Sequence, residues 1–433
     1  MPCPLFKRRV CFYEILNLDG RVPSQRGASA LFDELRGFFF RQARNYRLVL
    51  LKKCGFSAFS YLTLDYTSIY IRQLGASFVQ LGLVGSIGWL VNAVVAYPFG
   101  RLIDEYSSRR LMLFTVLVQA LVPLTYFLAR DWVWIAVATS LSSLAYFFSQ
   151  GLENVVMANS LRNEERAKGF TLVTSVSMVP VVVAPLVAAA ILTRLGGVSA
   201  GSLKTLFLIE FLGLAVIGLY IVLRFEETGS LQGGGGSLLE GLREVLSGSP
   251  YLKRWLLIDT ISASSYAVMG KYVMVYAQEV KGVDPIVIGS MGAVFAIVGI
   301  VSSVPMGALA DRIGRINTVI LTRPLFHAST LILLFTPDPR LLILGWVLRG
   351  TFNPSLSVLA AYRNELVSPE ERGRWMGVRE LLRRVFMIPA PLLGGILYTS
   401  VSPRAPFLFH MFMDVFVRVP LLLTMPRTLP ERG

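Results

Sequence analysis

Long apolar runs separated by short charged clusters set the rhythm of this chain. About 20 apolar residues cross the hydrocarbon of a bilayer as a helix, so each long run reads as a membrane span. Twelve runs fit: 50–71, 76–99, 111–129, 132–158, 169–193 and 205–223, then 255–278, 285–310, 317–336, 341–362, 375–399 and 405–425. A second, longer rhythm lies over the first. Gly82, Gly85, Pro98, Gly100 and Asp104 recur 207 residues later as Gly289, Gly292, Pro305, Gly307 and Asp311. At an offset of 206, Tyr66 and Tyr70 align with Tyr272 and Tyr276, and Arg166 in "NEERAKG" aligns with Arg372 in "PEERGRW". The pattern predicts an all-α membrane protein of twelve transmembrane helices in two pseudo-symmetric six-helix bundles. The expected boundaries are a tail at 1–47, bundles at 48–224 and 253–428, a linker at 225–252 and a tail at 429–433. Within the linker, four glycines, Gly233 to Gly236, read as flexible, and Ser237 can cap a short amphipathic helix.

Composition supports the membrane reading. Of 433 residues, 54% are hydrophobic and 16% charged, against about 25% charged in a soluble protein. The net charge of +15 is distributed unevenly. With both termini cytoplasmic, as an even number of spans requires, the outer loops hold only Arg72, Arg130, Arg194, Lys204, Lys281, Arg340 and Arg404. Most other cations fall in the inner loops and tails, a positive-inside bias that explains the basic charge without nucleic acid. Cys3, Cys11 and Cys54 have no metal or disulfide spacing, and His327 and His410 are the sole histidines. There is no Walker loop, HExxH or CxxC. No metal, cofactor or enzymatic activity is expected. The first residues lack the apolar stretch of a signal peptide.

The stretch "GALADRIGR" closes the eighth span. It resembles the loop between the second and third helices of each half in the major facilitator superfamily, with Gly307, Asp311, Arg312, Gly314 and Arg315 filling the pattern. The first-half copy, "GRLIDEYSSRR", keeps Gly100, Asp104 and Arg109 but has Glu105 and Ser107 at two pattern positions. The resemblance covers about 48–428 and implies a prokaryotic permease working by alternating access. The motif also has a physical reading. A glycine permits close helix approach. An aspartate at a helix end can accept from unpaired N–H groups of a neighbour. The arginines can pair with Glu370 and Glu371. Against this stands simple anchoring of a loop at the membrane edge.

Charges inside the spans point to the chemistry. Each costs roughly 2.5–3.5 kcal/mol at mid-membrane and is by default a functional candidate. The resemblance implies a cavity lined by the first, fourth, seventh and tenth helices, which here carry Lys52, Lys53 and Asp65; Glu153; Asp259 and Lys271; and Arg349. Under the repeat, Asp65 aligns with Lys271 and Lys53 with Asp259, so equivalent positions hold opposite charge twice. Asp65 and Lys271 are expected to form an outer-gate ion pair or a coupling site; the alternative is a permanent structural pair. Lys53 and Asp259 lie nearer the inner ends, where snorkelling is easy. Arg349, near the midplane, suits an anionic substrate group or a carboxylate such as Glu153. Arg323 and His327 read as packed polar residues on the ninth span.

Weaker features remain. "VPVVVAPLVAAA" resembles the family's antiporter pattern with alanine for glycine, "APLLGG" occurs in many members, and the fourth span lacks the arginine of many proton-coupled members. "LFDELRGFFFRQARNYR" reads as an amphipathic helix on anionic lipid, or as a docking segment for a partner. The expected function is secondary transport of a small molecule by a monomer in the cell membrane, with efflux and protons as coupling ion left open. A receptor on the same bundle is the alternative, and a membrane enzyme the third reading.

Overall fold

Helices dominate because a chain this apolar must satisfy its backbone hydrogen bonds internally once water is excluded. The computed structural model describes residues 37–227, 250–367 and 372–426, and no strand occurs among them. Gly233 to Gly236, Ser237, Glu370, Glu371 and residues 1–36 fall outside the described residues, as do the side-chain surroundings of Gly100 and Asp104. Residues 37–41 are helical within a separate unit spanning 1–43, where Arg41 Nε donates to the Gly37 carbonyl at 3.2 Å.

The second unit begins with α1 (Arg44–Thr63), which passes through a 3-10 turn at Leu64–Tyr66 into α2 (Thr67–Gln73). Then follow α3 (Phe78–Glu105), α4 (Ser108–Leu128), α5 (Trp132–Ser160), α6 (Arg166–Arg194) and α7 (Ala200–Arg224). After 250 come α8 (Pro250–Gly270), α9 (Val273–Val275) running into a π turn, α10 (Pro285–Ile313) and α11 (Arg315–Phe335). The chain ends with α12 (Leu342–Phe352), α13 (Ser355–Glu365), α14 (Arg372–Met387), α15 (Ala390–Ser400), α16 (Ala405–Phe412) and α17 (Val419–Leu423).

Nine helices among the described residues are long and apolar enough to cross a membrane. The three expected spans outside this set are the first, seventh and tenth, and each is interrupted. The interruptions repeat. Tyr66 and Tyr272, equivalent at offset 206, follow the breaks in the first and seventh spans and share backbone angles, φ −94° and ψ −10°. A short 3-10 piece inside a helix marks strain or a hinge. Asp65 and Lys271 sit in these breaks. The tenth span is interrupted at Asn353 and Pro354; the proline, five residues after Arg349, lacks an amide proton for the helix ladder.

Helix ends are defined by local chemistry. Ser77 and Gln80 form a reciprocal cap at α3, and Asp284 accepts from Val287 N at 2.8 Å to start α10. Gly75 and Gly282, again equivalent, turn the chain with φ +85° and +68°, a conformation L side chains rarely adopt. Lys281 Nζ donates to the carbonyls of Leu334 and Thr336, tying off α11. Burial, with Arg404 nearby, lowers its ammonium pKa from the ordinary value. Outward faces carry rows such as Leu212, Val216, Leu219 and Leu223, all exposed, which suit lipid contact.

The two ends of the bundle differ. Around the 74–77 and 281–284 turns, one apolar core draws on both repeats, including Tyr66, Tyr70, Leu81, Tyr272, Tyr276 and Ile288. A separate core, around Trp255, Ile316, Val358, Tyr362 and Trp375, contains residues of the second repeat only.

Candidate functional site

Between the repeats lies a cavity of about 980 Å³. Its walls come from α1, α2, α3, α6, α8, α9, α10, α12, α13, α14 and α15 together with the three helix breaks. Asp65, Lys271 and Arg349 all line it. So do the rings of Tyr61, Trp89, Tyr266, Phe295 and Trp346, set among aliphatic residues, with Ser68, Asn353 and Ser357 among the polar points.

The seam above the cavity is built from equivalent contacts. Tyr66 Oη donates to the Pro285 carbonyl at 3.2 Å, and Tyr272 Oη to the Phe78 carbonyl at 3.1 Å. A Cβ added to Gly82 would lie 2.3 Å from the Pro391 carbonyl oxygen; one on Gly289 would lie 2.5 Å from that of Pro185. Only glycine permits these crossings. Arg72 and Glu279, 207 residues apart, complete the closure. Arg72 Nε and Nη2 donate to Glu279 Oε1 and Oε2 at 3.0 and 3.3 Å, and the guanidinium lies over the Phe78 ring at 3.8 Å. Equivalent positions meet across a twofold axis, so opposite charge there can form an ion pair.

Asp65 and Lys271 do not form the expected gate pair; no ion pair joins them among the described residues. Each instead lies beside the other repeat's glycine. A Cβ on Gly292 would meet Asp65 Oδ2 at 2.8 Å, and one on Gly85 would meet Lys271 Cε at 3.5 Å. The pair that closes the seam is Arg72–Glu279.

Glu153 is elsewhere. Lys52 Nζ donates to its Oε1 at 2.5 Å and to Ser149 Oγ at 2.6 Å, while Lys53 Nζ stands 3.4 Å from Oε2. This network is buried between α1 and α5, and no α5 residue lines the cavity among those described. The expected lining by the fourth span and the expected Arg349–Glu153 pair are therefore not found: Glu153 is already neutralised by two lysines. Asp259 pairs with Arg379 at 2.8 Å, on α14, so Lys53 and Asp259 each bind within their own repeat.

The loop motif is less engaged than its pattern suggests. Asp311 and Arg312 are exposed, with no ion pair or hydrogen bond among the described residues. Nothing would meet a Cβ on Gly307, so close helix approach does not explain that glycine here. Gly314, with φ +87°, makes the turn from α10 to α11. Arg315 pairs with Glu365 at the end of α13, and Arg109 is exposed.

Two buried acids escaped the sequence analysis. Asp414, fully buried, accepts from Arg323 Nη1 at 2.8 Å and Arg418 Nη1 at 3.2 Å and bonds His327 Nε2 at 2.9 Å. Arg323 and His327 are thus packed, as expected, but as ligands of a carboxylate. Glu210 on α7 accepts from Thr63 Oγ1 at 2.7 Å.

Known proteins share this architecture. The family model of the Major Facilitator Superfamily matches residues 54–326 and 260–433. "Multidrug resistance protein MdtG" of Dickeya zeae (strain Ech586) is 25% identical over 377 residues, covering 81% of this chain and 87% of its own. "Tetracycline resistance protein, class C" of Escherichia coli is 31% identical over 127 residues, which spans only 30% of that protein. In fold, the chain is similar to the nucleoside transporter NupG, with TM-score 0.68, 14% identity and coverage of 88% of this chain and 98% of that one. A bacterial homologue of the lysosomal transporter Spinster, inward-facing and occupied, gives 0.65 at 14% identity, covering 88% and 96%. With a family match running across most of its length and a cavity placed between its repeats, the chain is a multi-pass membrane transporter that belongs to the Major Facilitator Superfamily.

Proposed function

We propose that the chain moves a small molecule across the cytoplasmic membrane by alternating access, using twelve spans as two six-helix halves, 48–224 and 253–428. The observation carrying this reading is the paired break: two spans interrupted at equivalent positions, each presenting a charge to one cavity. Corresponding interruptions in two halves are a recurrent mark of transporter binding sites. The positive-inside bias assigns the Arg72–Glu279 end to the outside and both tails and the 225–252 linker to the cytoplasm. The cavity then faces inward, consistent with the exposed Asp311 and Arg312 at the inner end, which have no ion pair among the described residues. In the outward-facing state the inner ends close, and the motif around Gly100, Asp104, Arg109, Gly307, Asp311, Arg312, Gly314 and Arg315 acquires its contacts. Asp65 and Lys271 are the substrate and coupling charges, with Arg349 lining the same cavity.

Export coupled to proton entry is the direction we favour, since the relatives that match most of the chain are named for multidrug resistance. Purified protein in proteoliposomes under an imposed pH gradient tests it. Gradient-driven substrate movement is expected, and Asp65→Asn should abolish the gradient dependence while substrate exchange continues. Binding without movement would favour a receptor. Gradient-driven movement that persists in Asp65→Asn would remove Asp65 from coupling. A cysteine at Ser237, with native cysteines removed, should react only with reagents that reach the cytoplasm; labelling by an impermeant reagent outside intact cells would invert the topology.

A further inference from the structure

We propose that the cavity ligand is an organic anion, a carboxylate on a ring-bearing body, held by Arg349 with Lys271 beside it. The assignment rests on the cavity being the transported molecule's site. Arg349 is 8% exposed and has no ion pair or hydrogen bond among the described residues. Its Nε and Nη2 are buried without a hydrogen-bond partner. Its guanidinium lies 4.8 Å from the Phe326 ring centre and 5.0 Å from that of Trp346. Cation–π contacts orient such a group without neutralising it. Other buried arginines here have a carboxylate partner: Arg323 and Arg418 share Asp414, and Arg379 holds Asp259. A buried donor left unpaired is costly, so a cation kept unpaired beside a cavity is explained by a partner that comes and goes.

The charge around the cavity has a sign. Lys271 and Arg349 face it with one carboxylate, Asp65. A cationic ligand would meet repulsion on the α8–α12 side. An oxyanion gains charge-assisted hydrogen bonds, and the planar guanidinium suits a carboxylate in particular. Tyr61, Trp89, Tyr266, Phe295 and Trp346 supply ring surfaces for the body of the molecule.

Calorimetric titration of the purified full chain with 1-naphthoate, 1-naphthamide and 1-naphthylmethylamine tests the class. Saturable binding of the carboxylate is expected, at least tenfold tighter than of the amide, with the amine weaker still. Arg349→Gln should lose at least tenfold for the carboxylate alone. Arg349→Lys, which keeps the charge and guards against a folding defect, should fall between. Equal affinity for carboxylate and amide overturns the proposal, as does tighter binding of the amine, unchanged binding in Arg349→Gln, or no binding of the carboxylate. The transport reading fails separately. Carboxylate binding without any movement into proteoliposomes would keep the anion site and remove transport; gradient-driven movement of a neutral or cationic compound with no carboxylate bound would do the reverse.

Discussion

Charge inside the spans stands in two settings, and their difference separates framework from working parts. At the framework sites most charges have an opposite, Lys52 with Glu153, Arg379 with Asp259, and Arg323 and Arg418 with Asp414, while Glu210 is held by the Thr63 hydroxyl. Around the cavity, Asp65, Lys271 and Arg349 have none among the described residues. All of these residues lie in apolar segments, so hydrophobic context does not distinguish them. What distinguishes them is geometry. The paired charges project between helices of one repeat, whereas the unpaired ones line the cavity between the repeats, Asp65 and Lys271 at the helix breaks and Arg349 within α12. A pair removed from water offsets much of its desolvation by mutual attraction and by the hydrogen bonds around it. A lone charge beside a cavity is stabilised only when something enters.

The contrast predicts opposite outcomes for chemically similar substitutions. Asp414→Asn leaves Arg323 and Arg418 without a counter-charge and should cost about 3–5 kcal/mol. A drop of several degrees in the melting temperature of the purified protein checks it. Asp65→Asn and Lys271→Gln should instead raise stability, by about 1–3 kcal/mol, because each removes an uncompensated charge from the membrane interior. Their transport should fail all the same. If Asp65→Asn destabilised as much as Asp414→Asn, Asp65 would be a framework residue and the distinction would collapse. Gly82→Ala probes the seam between the two kinds. Its Cβ would lie 2.3 Å from the Pro391 carbonyl, so the helices must separate, at about 1–3 kcal/mol. A cysteine at Ser68, which lines the cavity, should then react faster with an impermeant reagent added outside; an unchanged rate would mean that the glycine crossing does not hold the seal.

The shared cavity of Asp65, Lys271 and Arg349 was legible in the sequence because a charge in an apolar run is conspicuous and the repeat offset aligns equivalent depths. The breaks were not, since Leu64 to Tyr66 contain no proline or glycine, and Gly270 before Lys271 has no counterpart in the first repeat. Glu153 was assigned to the wrong neighbour because helix order does not say which face points where; α1 offers two lysines to it, and Arg349 is out of reach. Asp414 was missed for a related reason. Its partners Arg323 and His327 lie 91 and 87 residues away, and neither spacing nor repeat connects them. The Arg72–Glu279 pair, by contrast, carried a readable signal: opposite charges at the repeat offset, overlooked because both fall at span ends rather than inside them. Gly307 shows the opposite error, a motif residue whose expected contact is absent.

The smallest expected effect is the most discriminating test of the twofold relation. Arg72 and Glu279 are 21% and 29% exposed at the side chain, so their pair should contribute only about 0.2–1 kcal/mol and weaken in salt. Arg72→Gln and Glu279→Gln should each modestly favour outward opening, and the double variant should cost less than the sum of the singles. The exchange Arg72→Glu with Glu279→Arg has a sharper expectation. Positions that meet on a pseudo-twofold axis are interchangeable to first order, so swapping them rebuilds the pair in nearly the same place, and outside labelling at Ser68 should return close to the unmodified rate. The exchange Asp65→Lys with Lys271→Asp should not be silent. It moves the carboxylate to the repeat that holds Arg349, where it competes for that guanidinium, and 1-naphthoate binding should fall at least tenfold. Recovery at both levels would mean that position on the axis, and not the company of Arg349, decides what a charge does. Failure of the outer swap, with additive single effects, would show that Arg72 is held by Phe78 and the Ala76 carbonyl and that Glu279 adds nothing to the seal.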